Sequence, residues 1–119
     1  MKAANAIDAL GALAHPSRLS AFRLLVQAGH DGLSVGQIRA ALELAPATLS
    51  AHLNVLRAAG LVHDTREGRV IRVRADYARM DALVAYLTDN CCGGMPCTPV
   101  AAACTPVKRP RPKARHAVA

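Results

Sequence analysis

Residues 45–62, APATLSAHLNVLRAAGLV, and residues 64–75, DTREGRVIRVRA, carry the pattern on which the fold turns. In the first stretch Leu49, Leu53 and Leu56 recur at i, i+4 and i+7, one apolar stripe of a helix. Pro46 stands where a first helical position tolerates a missing N–H, and Gly60 closes the helix. The period then changes. Residues 61–66 and 69–74 read as two short strands around a turn at Glu67 and Gly68. A helix that leads at once into a hairpin predicts a wing behind a helix-turn-helix.

Working backward, Ser34 followed three residues later by Gln37 is a capping-box pattern. It predicts a short third helix from Val35 to about Leu42, burying Ile38 and Leu42. Pro16 opens a second helix running to about Gln27, with Leu19, Phe22, Leu25 and Val26 on its apolar face and Gly29 as its stop. Residues 3–14 place Ile7, Leu10 and Leu13 at helical spacing and predict a first helix. Working forward, Tyr77, Met80, Leu83, Val84 and Leu87 predict a last helix over residues 76–90. The expected order is ααααββα, a mainly α, winged helix-turn-helix chain. Residues 1–92 read as its single domain, and residues 93–119 as a Gly/Pro-rich, basic tail.

The 119 residues include 52% hydrophobic ones, mostly Ala and Leu, with two Tyr, one Phe and no Trp. Such a chain suits small helices packed closely, and its modest core makes extra burial through a dimer expected. The net charge of +7 is unevenly spread. Lys108, Arg109, Arg111, Lys113 and Arg115 crowd into the tail, so the first 104 residues keep ten basic against eight acidic side chains. Within that body Arg66, Arg69, Arg72 and Arg74 cluster, which points to a polyanionic partner. Asn5 and Asp8 interrupt any signal-like apolar core, and no stretch approaches a membrane span, so no membrane partner and a cytoplasmic location are expected.

The fourth helix carries Thr48, Ser50, His52, Asn54 and Arg57 on the faces its leucines leave open. Short polar side chains at a helix start can reach base edges in a major groove, so Thr48, Ser50 and His52 are expected nearest the bases of double-stranded DNA. Arg57, Arg66, Arg69, Arg72 and Arg74 are expected on phosphates. An ordinary solvated helix face and hairpin would present the same residue types, so the weight rests on the two occurring together. Arg72 and Arg74 alternate with Ile71 and Val73, which are expected to pack inward.

The four cysteines all fall between positions 91 and 104. Cys91 and Cys92 are adjacent, and Gly93 and Gly94 let the chain turn back so that Cys97 reaches them. Three thiolates converging from one side suit As(III) or Sb(III), which are three-coordinate, and thiolates bind soft cations generally. A structural zinc site wants four closed ligands, whereas the histidines closest in sequence are the distant His63 and His116. Cys104 stands as an alternative third ligand, a fourth ligand for a divalent metal, or an exposed thiol without a role. Absence of a CxxC motif and of a phosphate-cradling loop argues against an enzyme, and no organic cofactor is expected.

Residues 45–62 resemble the recognition helix of the ArsR/SmtB metal-sensing repressors, residues 64–75 their wing, and NCCGGMPC at residues 90–97 the C-terminal thiol site of an arsenite-responsive branch. The resemblance covers roughly residues 5–97. It implies a homodimer through the first and last helices and repression of an arsenic-resistance operon, relieved when inducer binds. The family's arsenite site on the third helix has no counterpart in Leu33-Ser34-Val35-Gly36-Gln37-Ile38. The last helix offers Asp76, Asp81 and Asp89 but no histidine for the zinc-type site. The terminal cysteines are left as the sensor, with Cd(II), Pb(II), Zn(II) or thiol oxidation as alternative signals.

Overall fold

Local chemistry starts and stops the helices. The computed structural model describes residues 1–94, in the order α1 (Ala3–Leu13), α2 (Pro16–Ala28), β1 (Leu33–Ser34), α3 (Val35–Leu42), α4 (Pro46–Ala58), β2 (Val62–Glu67), β3 (Val70–Ala75) and α5 (Tyr77–Leu87). His15 caps α2: its Nδ1 accepts from the Ser17 N–H at 3.1 Å, while Pro16 takes the first turn. Arg18 Nε donates to the Ala12 carbonyl at 2.6 Å, satisfying an orphan acceptor at the end of α1. Gly29, at φ +84°, ends α2. Ser34 and Gln37 close the expected capping box on α3, with bonds of 3.2 and 2.8 Å. Asp76 caps α5 by accepting from the Arg79 N–H at 2.9 Å.

The core lies where α2, α3 and α4 meet the sheet. Leu25, Ile38, Leu49, Leu53, Leu56, Leu61 and Val73 are its largest fully buried side chains. The stripe of α4 therefore supplies three of them, each worth about 1.5–3 kcal/mol of burial. This anchoring fixes the rotation of α4 and hence which residues it presents outward. β3 is the centre of an antiparallel sheet ordered β1-β3-β2, with Leu33 opposite Val73 and Asp64 opposite the same residue on the other side.

The winged helix-turn-helix order is as expected, with one addition and several shifts. β1 was not expected: two residues carry no periodic signal, and only their pairing with Val73 and Arg72 makes them a strand. The hairpin turn falls at Gly68 and Arg69, one residue later than expected, so β2 extends through Glu67. Gly68, at φ +65°, takes the turn position that a side chain would strain. α5 ends at Leu87, short of the predicted 90.

The face of α1 is also corrected. Ala6, Ala9 and Ala12 are buried, whereas Ile7 and Leu10 are 67% and 42% exposed. Alanine lets α1 approach its neighbours closely, which turns the larger side chains outward. On α2, Leu19 is exposed as well, and in β3 Ile71 lies beyond the edge of the core with 38% exposure. Val84 and Leu87 of α5 remain more than half exposed.

Met1–Thr88 form one compact unit and the chain from Asp89 belongs to a second. In the second, Cys91–Gly94 make a tight turn in which Cys92 and Gly93 adopt left-handed φ of 58° and 66°. Among the described residues no helix is long and apolar enough to cross a membrane.

Candidate nucleic-acid interface

With Leu49, Leu53 and Leu56 turned inward, the 100° step of the helix puts Ala47, Ala51, Asn54 and Ala58 along the outermost line of α4, with Thr48 and Ser50 to either side of it. Thr48, Ser50 and Asn54 are exposed, as a base- or phosphate-contacting residue must be. Ala47 and Ala51 were not singled out from the sequence. Both are exposed, and their small size leaves room for the helix backbone to approach a groove closely. Their spacing from the buried leucines was the available signal.

His52 and Arg57 sit on the flanks of the buried stripe and are half-buried. His52 lies against His15, ring centres 4.5 Å apart. Burial is the main influence holding its imidazole below the ordinary value of 6.5, and the adjacent His15 and Arg18 act in the same direction. Arg57 is engaged within the protein. Its Nε donates to Asp64 Oδ1 at 3.1 Å and its Nη1 to Asn54 Oδ1 at 2.8 Å, tying α4 to the first strand of the wing.

The four wing arginines divide into two pairs. Arg66 and Arg69 are exposed at the hairpin end, with no hydrogen bond or ion pair among the described residues. Arg72 donates through Nε to Glu67 Oε1 at 3.2 Å and through Nη1 to the Gly32 carbonyl at 3.4 Å. Arg74 donates from Nη1 to the His30 carbonyl at 2.7 Å, and its Nε is buried without a partner. Arg72 and Arg74 thus share a side, as their alternation implied, but that side meets the loop after α2. The nine side chains expected at DNA therefore fall into two groups. Thr48, Ser50, Asn54, Arg66 and Arg69 project, Asn54 with its Oδ1 accepting from Arg57, and His52, Arg57, Arg72 and Arg74 are held by the protein itself.

The thiol site is described only in part. The Cys91 and Cys92 side chains are exposed, with their sulfurs 3.7 Å apart. Cys97 and Cys104 lie outside the described residues. Among the described residues no three His, Cys, Asp or Glu side chains come together as a metal site.

An exposed helix face set on three buried leucines, followed by a cationic hairpin, defines a winged helix-turn-helix regulator rather than an enzyme. A family model described as a helix-turn-helix domain matches residues 13–65, and the chain belongs to the ArsR family of transcriptional regulators. The homodimeric winged helix-turn-helix DNA-binding domain of a possible ArsR-family regulator from Mycobacterium bovis is 33% identical, with a TM-score of 0.57 over 76% of this chain and 84% of that one. An ArsR-like transcriptional regulator from Rhodococcus is 28% identical, with a TM-score of 0.63 over 71% and 76% of the two chains. The biofilm growth-associated repressor of Agrobacterium fabrum is 43% identical over 65 residues, 55% of this chain. That match spans about half, 53%, of the curated relative's length.

Proposed function

We propose that this chain is a homodimeric repressor of an arsenic-resistance operon, released from operator DNA when As(III) binds its C-terminal thiolates. The observation that carries the ligand assignment is the 3.7 Å separation of the Cys91 and Cys92 sulfurs. Metal–thiolate bonds of about 2.3 Å, at angles between roughly 90° and 110°, place two sulfurs about 3.3–3.8 Å apart on one ion. The pair thus stands at chelating distance. Cys97 is the third ligand in this reading, with Cys104 as the substitute, and Sb(III) binds in the same way. Three S–As bonds form as the three hydroxyls of arsenous acid leave as water with the thiol protons.

The DNA half of the reading rests on the outward line of α4 and on Arg66 and Arg69. The dimer half rests on Ile7 and Leu10 of α1 and Val84 and Leu87 of α5, an apolar set on two helices in contact with each other. Two recognition helices about 34 Å apart then meet successive major grooves of a two-fold operator. Because the thiols follow α5 by a few residues, ligand binding there acts on a helix that also builds the dimer. A tenfold loss of operator affinity needs only about 1.4 kcal/mol of coupling.

Fluorescence anisotropy of the full chain on its own promoter DNA, titrated with arsenite under reducing conditions, tests both halves. Release near one arsenite per subunit is the expected result, with Cys91→Ser and Cys92→Ser still bound to DNA and no longer released. Normal release in both variants sinks the ligand assignment. X-ray absorption showing four sulfurs around Cd(II), Pb(II) or Zn(II) would move the assignment to a divalent metal. Release only on oxidation would move it to a thiol switch.

A further inference from the structure

Residues 29–32 and the end of α2 are held almost entirely from outside. The last four carbonyls of any helix lack partners within it, and residues 29–32 contribute a single bond of their own, Gly32 N–H to the Gly29 carbonyl at 3.2 Å. Tyr77, the first residue of α5, donates its hydroxyl to the Val26 carbonyl at 2.8 Å, with Leu25 at 3.4 Å as a weaker second acceptor. Arg74 of β3 takes the His30 carbonyl and Arg72 reaches that of Gly32. The His30 ring meets the Tyr77 ring edge-on, 4.9 Å between centres and inclined at 60°. A Cβ on Gly32 would run into the Val73 carbonyl and the Arg74 Cγ, so the loop lies directly on β3.

These contacts connect three parts with different tasks. α2 packs against α3 and α4, β3 is the return strand of the wing, and α5 is the helix that precedes the thiols. The wing is joined to the body by β1 pairing, by the buried Val62, Val73 and Ala75, by the Arg57–Asp64 bond and by these side chains, which alone reach the loop after α2 from β3. Tyr77 and Arg74, three residues apart where β3 runs into α5, grip the same short segment, so the return strand of the wing and the start of α5 are fixed to one support.

We propose that Tyr77, His30 and Arg74 are positioning residues that set the wing relative to α5, so that a displacement of α5 is felt at the wing. The ligand-dependent part of this inference rests on the arsenite reading above. Tyr77 touches no DNA in it and acts only through the carbonyls of α2 and the ring of His30.

The test is Tyr77→Phe in the full chain, which removes one hydroxyl and keeps the ring against His30. The ratio of operator Kd with and without arsenite is the first readout. It is expected to shrink at least threefold, and the effects of Tyr77→Phe and Arg74→Gln on that ratio are expected to be non-additive. A residue that merely stabilises the fold would lower the melting temperature and leave the ratio alone. A ratio unchanged within twofold overturns the inference. Amide hydrogen exchange of the ligand-free protein is the second readout and does not depend on arsenite. Tyr77→Phe should speed exchange in β3 at least fivefold while α4 keeps its protection. If the wild-type protein is not released by arsenite, the ligand reading fails alone, and unchanged exchange in β3 is then the result that overturns the clamp.

Discussion

The imidazole of His52, in the middle of α4, rests on that of His15, the N-cap of α2, with ring centres 4.5 Å apart and planes inclined at 44°. His15 Nδ1 accepts from the Ser17 N–H at 3.1 Å. Two imidazoles, Arg18 and the positive end of the α2 dipole thus meet at one point. With burial as the larger cause, a proton on His52 is unwelcome.

Stability should accordingly fall on acidification. Because the His52 value is depressed in the folded protein, the unfolded chain binds the proton more tightly. The His52 contribution is therefore complete above about pH 6.5, the unfolded value, and is lost as pH falls from there through the depressed folded value. Calorimetry of the DNA-free protein between pH 7.5 and 5 should show a falling Tm, with a shallower fall in His52→Gln. Equal slopes in the two proteins would remove the pair as the cause.

The wing arginines should separate by readout. Arg66→Ala and Arg69→Ala each delete one phosphate contact per subunit in this reading, two per dimer, so the slope of log K against log salt should drop by about 1.8 per substitution, with little change in Tm. Arg74→Ala instead removes a bond to the His30 carbonyl and should lower unfolding stability by about 1–3 kcal/mol. Salt-dependent anisotropy beside urea unfolding checks both. Equal salt effects and no stability difference would erase the division.

Two glycines with similar backbones should respond differently to alanine. Gly32 and Gly68 have φ of 68° and 65°, so each substitution carries a left-handed penalty of about 1–2 kcal/mol. At Gly68 the space is open, and that is the whole cost. At Gly32 the new methyl also meets the Val73 carbonyl, so Gly32→Ala should cost clearly more than Gly68→Ala in the same unfolding assay. The reverse order would mean that the loop is not seated on β3.

The apolar set on α1 and α5 should govern oligomeric state. Ile7→Lys with Val84→Lys changes side chains that are 67% and 55% exposed in one chain, so the fold itself should survive. Sedimentation should show the wild type as a dimer and the double variant shifted to monomer, with operator affinity lost along with the second recognition helix. A dimeric double variant would place the interface elsewhere.

The elements legible in the sequence were those specified by near neighbours. Pro16, Gly29, the Ser34–Gln37 box and Pro46 act within one helical turn, and each stands where expected. The leucine stripe of α4 was equally plain, because a 3.6 period over two turns has one meaning. The site was half legible. Exposure of Thr48, Ser50 and Asn54 followed from the stripe, but the engagement of Arg57, Arg72 and Arg74 did not. Their partners are Asp64, Gly32 and His30, the last two about 40 residues away in the chain.

By itself the sequence determined the winged helix-turn-helix order, the boundaries of α2 to α4, and the pairing of a cationic hairpin with a helix bearing short polar side chains. Caps and periodicity act over a few residues, so composition at fixed spacing is enough to specify them. The tertiary structure alone decided that α1 buries alanines and turns Ile7 and Leu10 outward, since close helix approach selects for small side chains and no local signal records it. It alone made Leu33 and Ser34 a strand, because β pairing exists only when β3 arrives to complete it. And it alone divided four similar arginines into two that project and two that brace, because the carbonyls that claim Arg72 and Arg74 reach them only through the fold.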